Sequence, residues 1–315
     1  MLPPEPSSTA PAAPPIAVPD APAVRHQLQR LAGGGQAPWL QQEVARRMAD
    51  KLDVILIKPK CWIDWWARAG ASGELLAQRY PKAQAVWVEP TAALLQSHAE
   101  PAWKRALGVL SGATRRAQLE SDELVPGQAQ LLWANMMLHL HADPDALLRR
   151  WHRALAIDGF LMFSCLGPDT LQQLRELYSR LAWPAPTLPF RDMHDIGDAL
   201  VQAGFADPVM DMERITLTWA SPQALLADLR AWGGNVHPQR FAGLRTPRWR
   251  ARLERELMAL ARPQPDGSSR LTLTFELIYG HAIKPPPRPK VAAETAVSLE
   301  DMRSMMKRNP AGGRP

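Results

Sequence analysis

The 315-residue chain is poor in the features that mark secreted and membrane proteins. It has two cysteines, Cys61 and Cys165, each inside an apolar run, so we expect reduced core thiols rather than a disulfide framework. It has no apolar run of about 18 residues and no charged start followed by an apolar segment. We therefore expect a soluble, cytoplasmic protein without a membrane partner.

The chain also lacks the charge pattern of a nucleic-acid-binding protein. Its net charge is +6, but the arginines are scattered and no lysine-rich run or recognition motif accompanies them. Nucleic acid is therefore not expected as the main partner. The positive balance would nevertheless attract an acidic protein or substrate.

The two ends of the chain have too few core-forming residues to predict a folded domain there. Residues 1–36 are rich in proline, alanine and glycine, and residues 284–315 have a similar composition. Such segments bury too little apolar surface to offset the entropy lost on ordering. We expect a disordered N-terminal segment (1–36), one large folded domain (37–283) and a disordered C-terminal tail (284–315).

Within the body, apolar runs of strand length alternate with amphipathic helix patterns. Residues 61–65 (CWIDW) and 83–89 (AQAVWVE) predict two strands, and residues 74–80 (ELLAQRY) predict a helix between them. The alternation continues along the body and ends in an alternating strand at residues 270–283. The pattern predicts an α/β fold with a doubly wound, mostly parallel, seven-stranded sheet and an antiparallel C-terminal edge.

Three polar residues lie where predicted parallel strands end: Asp64, Glu89 and Asn135. In doubly wound folds, ligands bind beyond the carboxyl ends of the strands, near the point where the strand order reverses. Glu89 follows the first strand by roughly twenty residues, the position where an acidic side chain accepts hydrogen bonds from a ribose diol. These residues predict a nucleotide-like binding site at one edge of the sheet.

Five blocks of the body carry a resemblance to a known family. They are WLQQEVARRMADKLDVILIKP, LAQRYPKAQAVWVEP, LLWANMMLHLHADPDALLRRWHRAL, FSCLGPDTLQQLREL and MHDIGDALVQAGFADPVMDMERITLTW. From about Trp39 to Ile283 the chain resembles the malonyl-[acyl-carrier protein] O-methyltransferases of biotin synthesis, which are class I S-adenosylmethionine-dependent methyltransferases. The resemblance implies S-adenosylmethionine as cofactor and an acidic acyl carrier protein bearing a malonyl thioester as partner.

The loop after the first strand departs from the pattern of the family that the chain resembles. That pattern reads acid, apolar, Gly, any, Gly, any, Gly, so that Asp64 matches the acid, Gly70 matches the last glycine, and Trp66 and Arg68 fall on the first two. Trp66 can turn away from the cofactor, with Arg68 pairing with the cofactor carboxylate, or its ring can occupy the site. Both outcomes remain open at the level of sequence.

The resemblance implies further site residues. Asp122 and Glu123 match an acidic pair near the adenine, whereas Gln130 stands where an Asp usually opens the fourth strand. Asn135 matches the residue that ends this strand, where the transferred methyl group meets the acceptor, so we expect it to align the acceptor. His139 and His141 follow without a third ligand cluster, and no metal is expected.

The acceptor side of the site is expected to be cationic. A malonyl carboxylate is a nucleophile without a general base, but it needs a hydrogen-bonding pocket, for which Arg191, Arg240 and Arg245 are candidates. Two alternatives stay open. One is a catalytically silent, partner-binding protein, which Trp66, Arg68 and Gln130 favour; the other is a methyltransferase acting on another acceptor.

Overall fold

The computed structural model describes residues 17–34, 37–98, 115–264, 267–287, 299–300 and 303–304. The chain divides into two compact units, residues 1–285 and residues 286–315. In the second unit the described residues Leu299, Glu300, Arg303 and Ser304 are helical. The elements named below belong to the first unit.

One mixed β-sheet forms the centre of the first unit. Its strands are β1 (Cys61–Trp65), β2 (Gln84–Glu89), β3 (Arg115–Leu119), β4 (Ala129–Ala134), β5 (Leu155–Leu166), β6 (Ala206–Trp219), β7 (Arg262–Pro263) and β8 (Ser269–Ile283). The order across the sheet is β3-β2-β1-β4-β5-β8-β6, and β7 pairs with β8. The neighbours from β3 to β5 pair in parallel, whereas β8 is antiparallel to both β5 and β6. The predicted α/β, mostly parallel fold class is confirmed, with the antiparallel C-terminal strand next to the edge strand β6.

Helices connect these strands. They are α1 (Ala21–Gly33), α2 (Trp39–Asp50), α3 (Ala67–Gly70), α4 (Gly73–Arg79), α5 (Ala92–Gln96), α6 (Pro144–Ala154), α7 (Gln172–Arg180), α8 (Met193–Gln202), α9 (Pro222–Trp232) and α10 (Pro247–Met258). The side chain of Asp143 caps α6 by accepting from the backbone N–H of Ala146 at 2.8 Å. The sequence also predicts a wholly or partly helical segment over residues 91–110, of which residues 99–110 lie outside the described residues.

The core follows from the strand periodicity, because alternate residues of β1 face opposite sides of the sheet. Trp62 packs into one apolar cluster, together with α2 and Trp133 of β4. Ile63 and Trp65 pack into the other, where the Trp65 ring lies edge-on to Trp151 of α6 at 5.9 Å between centroids. The sheet is thereby covered on both faces, and its carboxyl edge between β1 and β4 is the point where the strand order reverses.

The expectation of a disordered segment over residues 1–36 is wrong for residues 21–33, which form α1. Asp20 caps this helix through the backbone N–H of Ala23 at 2.8 Å, and Pro22 occupies its first turn, where a missing N–H has no cost. Leu28 is buried in the apolar cluster that contains Trp65. The proline-rich composition of residues 1–36 as a whole did not indicate this short amphipathic helix with its N-terminal cap.

No helix in the described ranges is long and apolar enough to cross a membrane. The cytoplasmic location expected from the sequence stays a prediction.

Candidate active site

The carboxyl ends of β1 and β2 carry two fully buried acids, Asp64 and Glu89. Within the described part of the chain, neither carboxylate oxygen of Asp64 has a hydrogen-bond partner, and Oε2 of Glu89 has none. Oε1 of Glu89 accepts from the backbone N–H of Arg68 at 2.8 Å and contacts the His98 ring. Burial raises the pKa of Asp64 well above its ordinary value, and the neighbouring Glu89 raises it further. Unpaired buried carboxylate oxygens are costly, so these acids are suited to receive donors from a ligand.

The loop after β1 forms the single helical turn α3. The backbone enters it at Trp66 (φ 55°, ψ 49°) and leaves it at Ala71 (φ 57°), both in the left-handed region that favours glycine. The Trp66 N–H donates to the carbonyl of Val88 at 2.7 Å, and the Gly70 N–H donates to the carbonyl of Trp66 at 2.9 Å. The first expected glycine position thus keeps a glycine-like backbone while it carries an indole.

The Trp66 side chain turns toward the end of β3, where it meets Glu120. Its Nε1–H donates to Oε2 of Glu120 at 2.8 Å, and Nε1–H of Trp65 donates to Oε1 at 3.2 Å. His141 lies 3.2 Å from the same Oε1. Burial acts to raise the pKa of Glu120, but the contacts with His141, Trp66 and Trp65 outweigh it and the pKa is lowered. Glu120 therefore acts as a charged acceptor for two indoles.

The acidic pair that the resemblance predicts near the adenine does not reach the buried carboxyl edge of the sheet. Asp122 and Glu123 are exposed on the turn after β3, where Oδ2 of Asp122 accepts from the backbone N–H of Leu119 at 2.9 Å. Glu120, which the sequence analysis did not select, is the acid of this turn that reaches the buried rim. Its position directly after β3 is the signal that would have identified it, had the short strand been recognised.

Asn135 joins three elements at the end of β4. Its Nδ2 donates to the carbonyl of Gly70 at 2.6 Å and to the carbonyl of Gln41 in α2 at 2.8 Å. Its Oδ1 accepts from Oγ–H of Ser164 in β5 at 2.6 Å. A Cβ on Gly70 would lie 3.2 Å from Cβ of Asn135, so a side chain there would crowd this junction. The fully buried Asn135 thus fixes the loop by contacts within the protein, and its alignment of an acceptor stays a prediction.

Gln130 also has a structural role. Its Oε1 accepts from the backbone N–H groups of Lys60 and Cys61 at 3.0 and 2.9 Å, which ties the start of β1 to β4. The departure from Asp at this position is therefore explained without loss of a ligand contact. Gln130 therefore no longer argues for a catalytically silent protein.

The two histidines after β4 contact different partners. His139 lies edge-on to the Phe190 ring at 5.6 Å between centroids, and burial lowers its pKa to about 3. His141 pairs with Glu120. Among the described residues, no group of three or more His, Cys, Asp or Glu side chains is arranged to hold a metal ion.

A cavity of about 610 Å³ opens beside the end of β4. Gln41 and Met136 bring it next to the Asn135 junction, and leucines and aromatic rings of α7, α9 and α10 form part of its wall. A smaller cavity of about 110 Å³ lies beyond it, and His139 and Phe190 line both. Neither of these two cavities is lined by Asp64, Trp66, Glu89 or Glu120.

The three arginines predicted for an acceptor carboxylate have different environments. Arg191 pairs with Asp145 at 2.6 Å, and Arg240 pairs with Asp20 at 3.1 Å. Arg245 lines the large cavity and stacks between two rings, with its guanidinium carbon 3.8 Å from the Phe241 centroid and 4.2 Å from the Trp249 centroid. No described carboxylate pairs with Arg245, so its charge is available to a ligand in the cavity.

The doubly wound sheet, with one reversed strand near its edge and buried acids at its switch point, is the arrangement expected of a class I S-adenosylmethionine-dependent methyltransferase. The fold is similar to that of the YcgJ protein from Bacillus subtilis, with a TM-score of 0.50 and 12% identity, covering 78% of this chain and 100% of that one. No model of a protein family matches the chain.

Sequence relatives identify the family. The chain is 39% identical over 260 residues to the malonyl-[acyl-carrier protein] O-methyltransferase of Laribacter hongkongensis, covering 81% of this chain and 86% of the relative. It is 38% identical over 273 residues to the enzyme of the same name from Gallionella capsiferriformans, covering 85% and 92%. The chain therefore belongs to the malonyl-[acyl-carrier protein] O-methyltransferase family.

The buried polar groups fit the cofactor of this class. S-Adenosylmethionine presents an ammonium group and a ribose diol, both of which donate hydrogen bonds. Asp64 and Glu89 supply three buried carboxylate oxygens that have no partner among the described residues, and these oxygens are the complementary acceptors. The Arg68 backbone N–H already bonds Glu89 and holds this acid at the loop.

Proposed function

We propose that this protein transfers the methyl group of S-adenosylmethionine to the free carboxylate of a malonyl thioester carried by an acyl carrier protein, a step of biotin synthesis. Family membership supports the reaction. The structural observation that carries the acceptor assignment is the guanidinium of Arg245 in the wall of the 610 Å³ cavity, which pairs with no carboxylate of the described residues. A carboxylate in this cavity finds a fixed cation and apolar walls that exclude water.

The chain has to orient two reactants rather than perform proton transfer. The bound cofactor supplies an activated methyl group on a sulfonium, and the carboxylate oxygen is already ionised near neutral pH. Asp64 and Glu89 would hold the cofactor's donors, Asn135 fixes the loop after β1, and Arg245 would direct the carboxylate. Alignment of this kind is worth several orders of magnitude in rate without a general base.

The carrier protein is proposed to approach through the arginine-bearing rim of the large cavity. Arg30, Arg230 and Arg240 line this cavity in addition to Arg245. An acidic carrier would be steered to such a rim, because complementary charge accelerates encounter. The net charge of +6 acts in the same direction.

Growth of a biotin-requiring strain that lacks its own malonyl-carrier methyltransferase tests this function. We expect expression of the protein to restore growth without added biotin, and Asp64→Ala to abolish the rescue at equal protein level. The same cells supplied with biotin control for toxicity. Failure of the folded, expressed wild-type protein to restore growth, with methyl transfer to another acceptor, would favour the alternative enzyme.

A further inference from the structure

The position of Trp66 combines a strained backbone with a specific side-chain contact. A tryptophan at φ 55° carries its Cβ in a region that is costly for every residue except glycine, and this chain nevertheless retains that conformation. The cost is offset by two hydrogen bonds, from the backbone N–H to Val88 and from the indole N–H to Glu120. The side chain is therefore held by a defined partner and does not simply fill space.

The indole lies across the carboxyl ends of β1, β2 and β3. Its backbone is bonded to the residue before Glu89, and its ring reaches Glu120, whose N–H donates to the carbonyl of Glu89 at 2.8 Å. Leu28 and Leu138 share its apolar cluster, and the side chain is 3% exposed. The space at the end of β3 beside Glu120 is therefore occupied by the Trp66 ring.

An indole and a purine are alike in the properties that matter here. Both are flat, bicyclic and aromatic, and both present an N–H donor to a carboxylate. A ribose bonded to Glu89 would carry its base toward the neighbouring strand ends, where the Trp66 ring now lies. The Trp66 indole and the purine of a bound cofactor would therefore compete for the same space beside Glu89 and Glu120.

We propose that Trp66 is a movable indole plug, which occupies the purine part of the cofactor site and must leave Glu120 before the cofactor binds. This inference rests on the proposed function for the identity of the cofactor. The protein then exists in a closed state, with the indole on Glu120, and an open state that is competent to bind. The apparent affinity is reduced by the fraction of open molecules.

Calorimetric titration of the full chain with S-adenosylhomocysteine tests the plug. Trp66→Gly removes the ring and relieves the backbone, so we expect its dissociation constant to fall about tenfold or more, as expected when an open state of about 10% becomes dominant. Trp66→Phe keeps a ring and the backbone constraint but loses the N–H donor, and should show a smaller gain. Trp65→Phe is the matched control, because it removes the other indole contact with Glu120 from an ordinary strand position; its affinity should equal that of the wild type.

Tryptophan fluorescence supplies a second readout. We expect the ligand to shift the wild-type emission toward that of a more exposed indole, and this change should be absent in Trp66→Phe. Thermal melting of each variant confirms that it is folded.

The outcomes separate the plug from the proposed function. Equal affinity of wild type and Trp66→Gly would overturn the plug and leave the enzyme assignment intact. Binding by Trp66→Gly with none by the wild type would show a fixed obstruction, which would overturn a movable plug and count against wild-type activity. No binding by either protein at millimolar ligand would overturn the plug and count against the cofactor.

Discussion

The side-chain amide of Asn135 donates to the carbonyl oxygen of Gly70 at 2.6 Å, and this bond joins the end of β4 to the end of the loop after β1. The same nitrogen donates to Gln41 of α2, at the edge of the large cavity. The loop after β1 and the wall of the large cavity therefore share one buried junction, so that a change at Asn135 should affect both.

Asn135→Asp should disrupt this junction, because it replaces a donor facing two carbonyl oxygens with an acceptor. We expect the free energy of unfolding to fall by about 1–3 kcal/mol, the cost of buried polar groups left without partners. Urea unfolding near neutral pH measures the loss. Ser164→Ala removes the donor to Oδ1 of Asn135 and one of the two acceptors of the Met136 N–H, whose other acceptor, the Ser164 carbonyl, remains, so it should cost less. An Asp variant as stable as the wild type would show that the junction does not hold the loop.

Asp64→Asn should stabilise the ligand-free protein in a pH-dependent way. Burial raises the folded-state pKa of Asp64, so the folded chain retains a proton that the unfolded chain releases. The stability contributed by the protonated form is complete below the unfolded pKa of about 3.9 and is lost as pH rises toward the folded pKa.

Melting temperatures of the two proteins should therefore coincide near about pH 4, and the variant should melt higher at about pH 7. Its affinity for S-adenosylhomocysteine should be weaker than that of the wild type. Asp198→Asn, on the exposed side of α8, is the control and should shift neither quantity. A difference in melting temperature that does not change with pH would contradict the assignment of a raised pKa.

Arg245 should determine acceptor affinity. Arg245→Met removes the unpaired cation and should raise the KM for the malonyl carrier about tenfold to a hundredfold, as expected for a lost hydrogen bond to a charged group. Arg245→Lys keeps the positive charge but loses the planar group that stacks on the rings, so its KM should lie between those of the wild type and Arg245→Met. Arg252→Met, which removes an exposed arginine beside Trp183, should leave KM unchanged. Unchanged kinetics for Arg245→Met would place the acceptor carboxylate elsewhere.

Gly280 should tolerate no side chain. It lies opposite Phe163 in the β5–β8 pair, and a Cβ would come 2.1 Å from Cε1 of that ring. Gly280→Ala should therefore destabilise the fold by about 1–3 kcal/mol, the usual cost of overpacking. Gly197→Ala in α8, where the nearest atom is 3.7 Å away, should be neutral or stabilising by up to about 1 kcal/mol. Comparable melting temperatures for both variants would show that Phe163 moves aside freely.

Local patterns in the sequence were sufficient for the class of fold and for some of its details. The alternation of CWIDW, ELLAQRY and AQAVWVE is sufficient to predict the first βαβ unit. The strand β3 was missed because its sequence, RRAQL, has exposed and half-buried residues and no apolar run. Glu120 was missed for the same reason, because an acid can be assigned to the carboxyl edge of the sheet only when the strand before it has been identified.

The orientation of Trp66 was beyond the reach of local pattern. Both directions were open, and the choice depends on Glu120, which lies 54 residues further along the chain. Helix α1 is a similar case, because the burial of Leu28 depends on a cluster built by distant strands. Short-range spacing predicts elements, whereas contacts between distant residues decide how a site is filled.

The most direct test of the assignment is the intact mass of a malonyl-loaded carrier protein after incubation with this protein and S-adenosylmethionine. We expect a mass gain of one methyl ester on the malonyl carrier and none on an acetyl-loaded carrier, which lacks the free carboxylate. An unchanged malonyl carrier, with folded protein and saturating cofactor, would contradict the assignment.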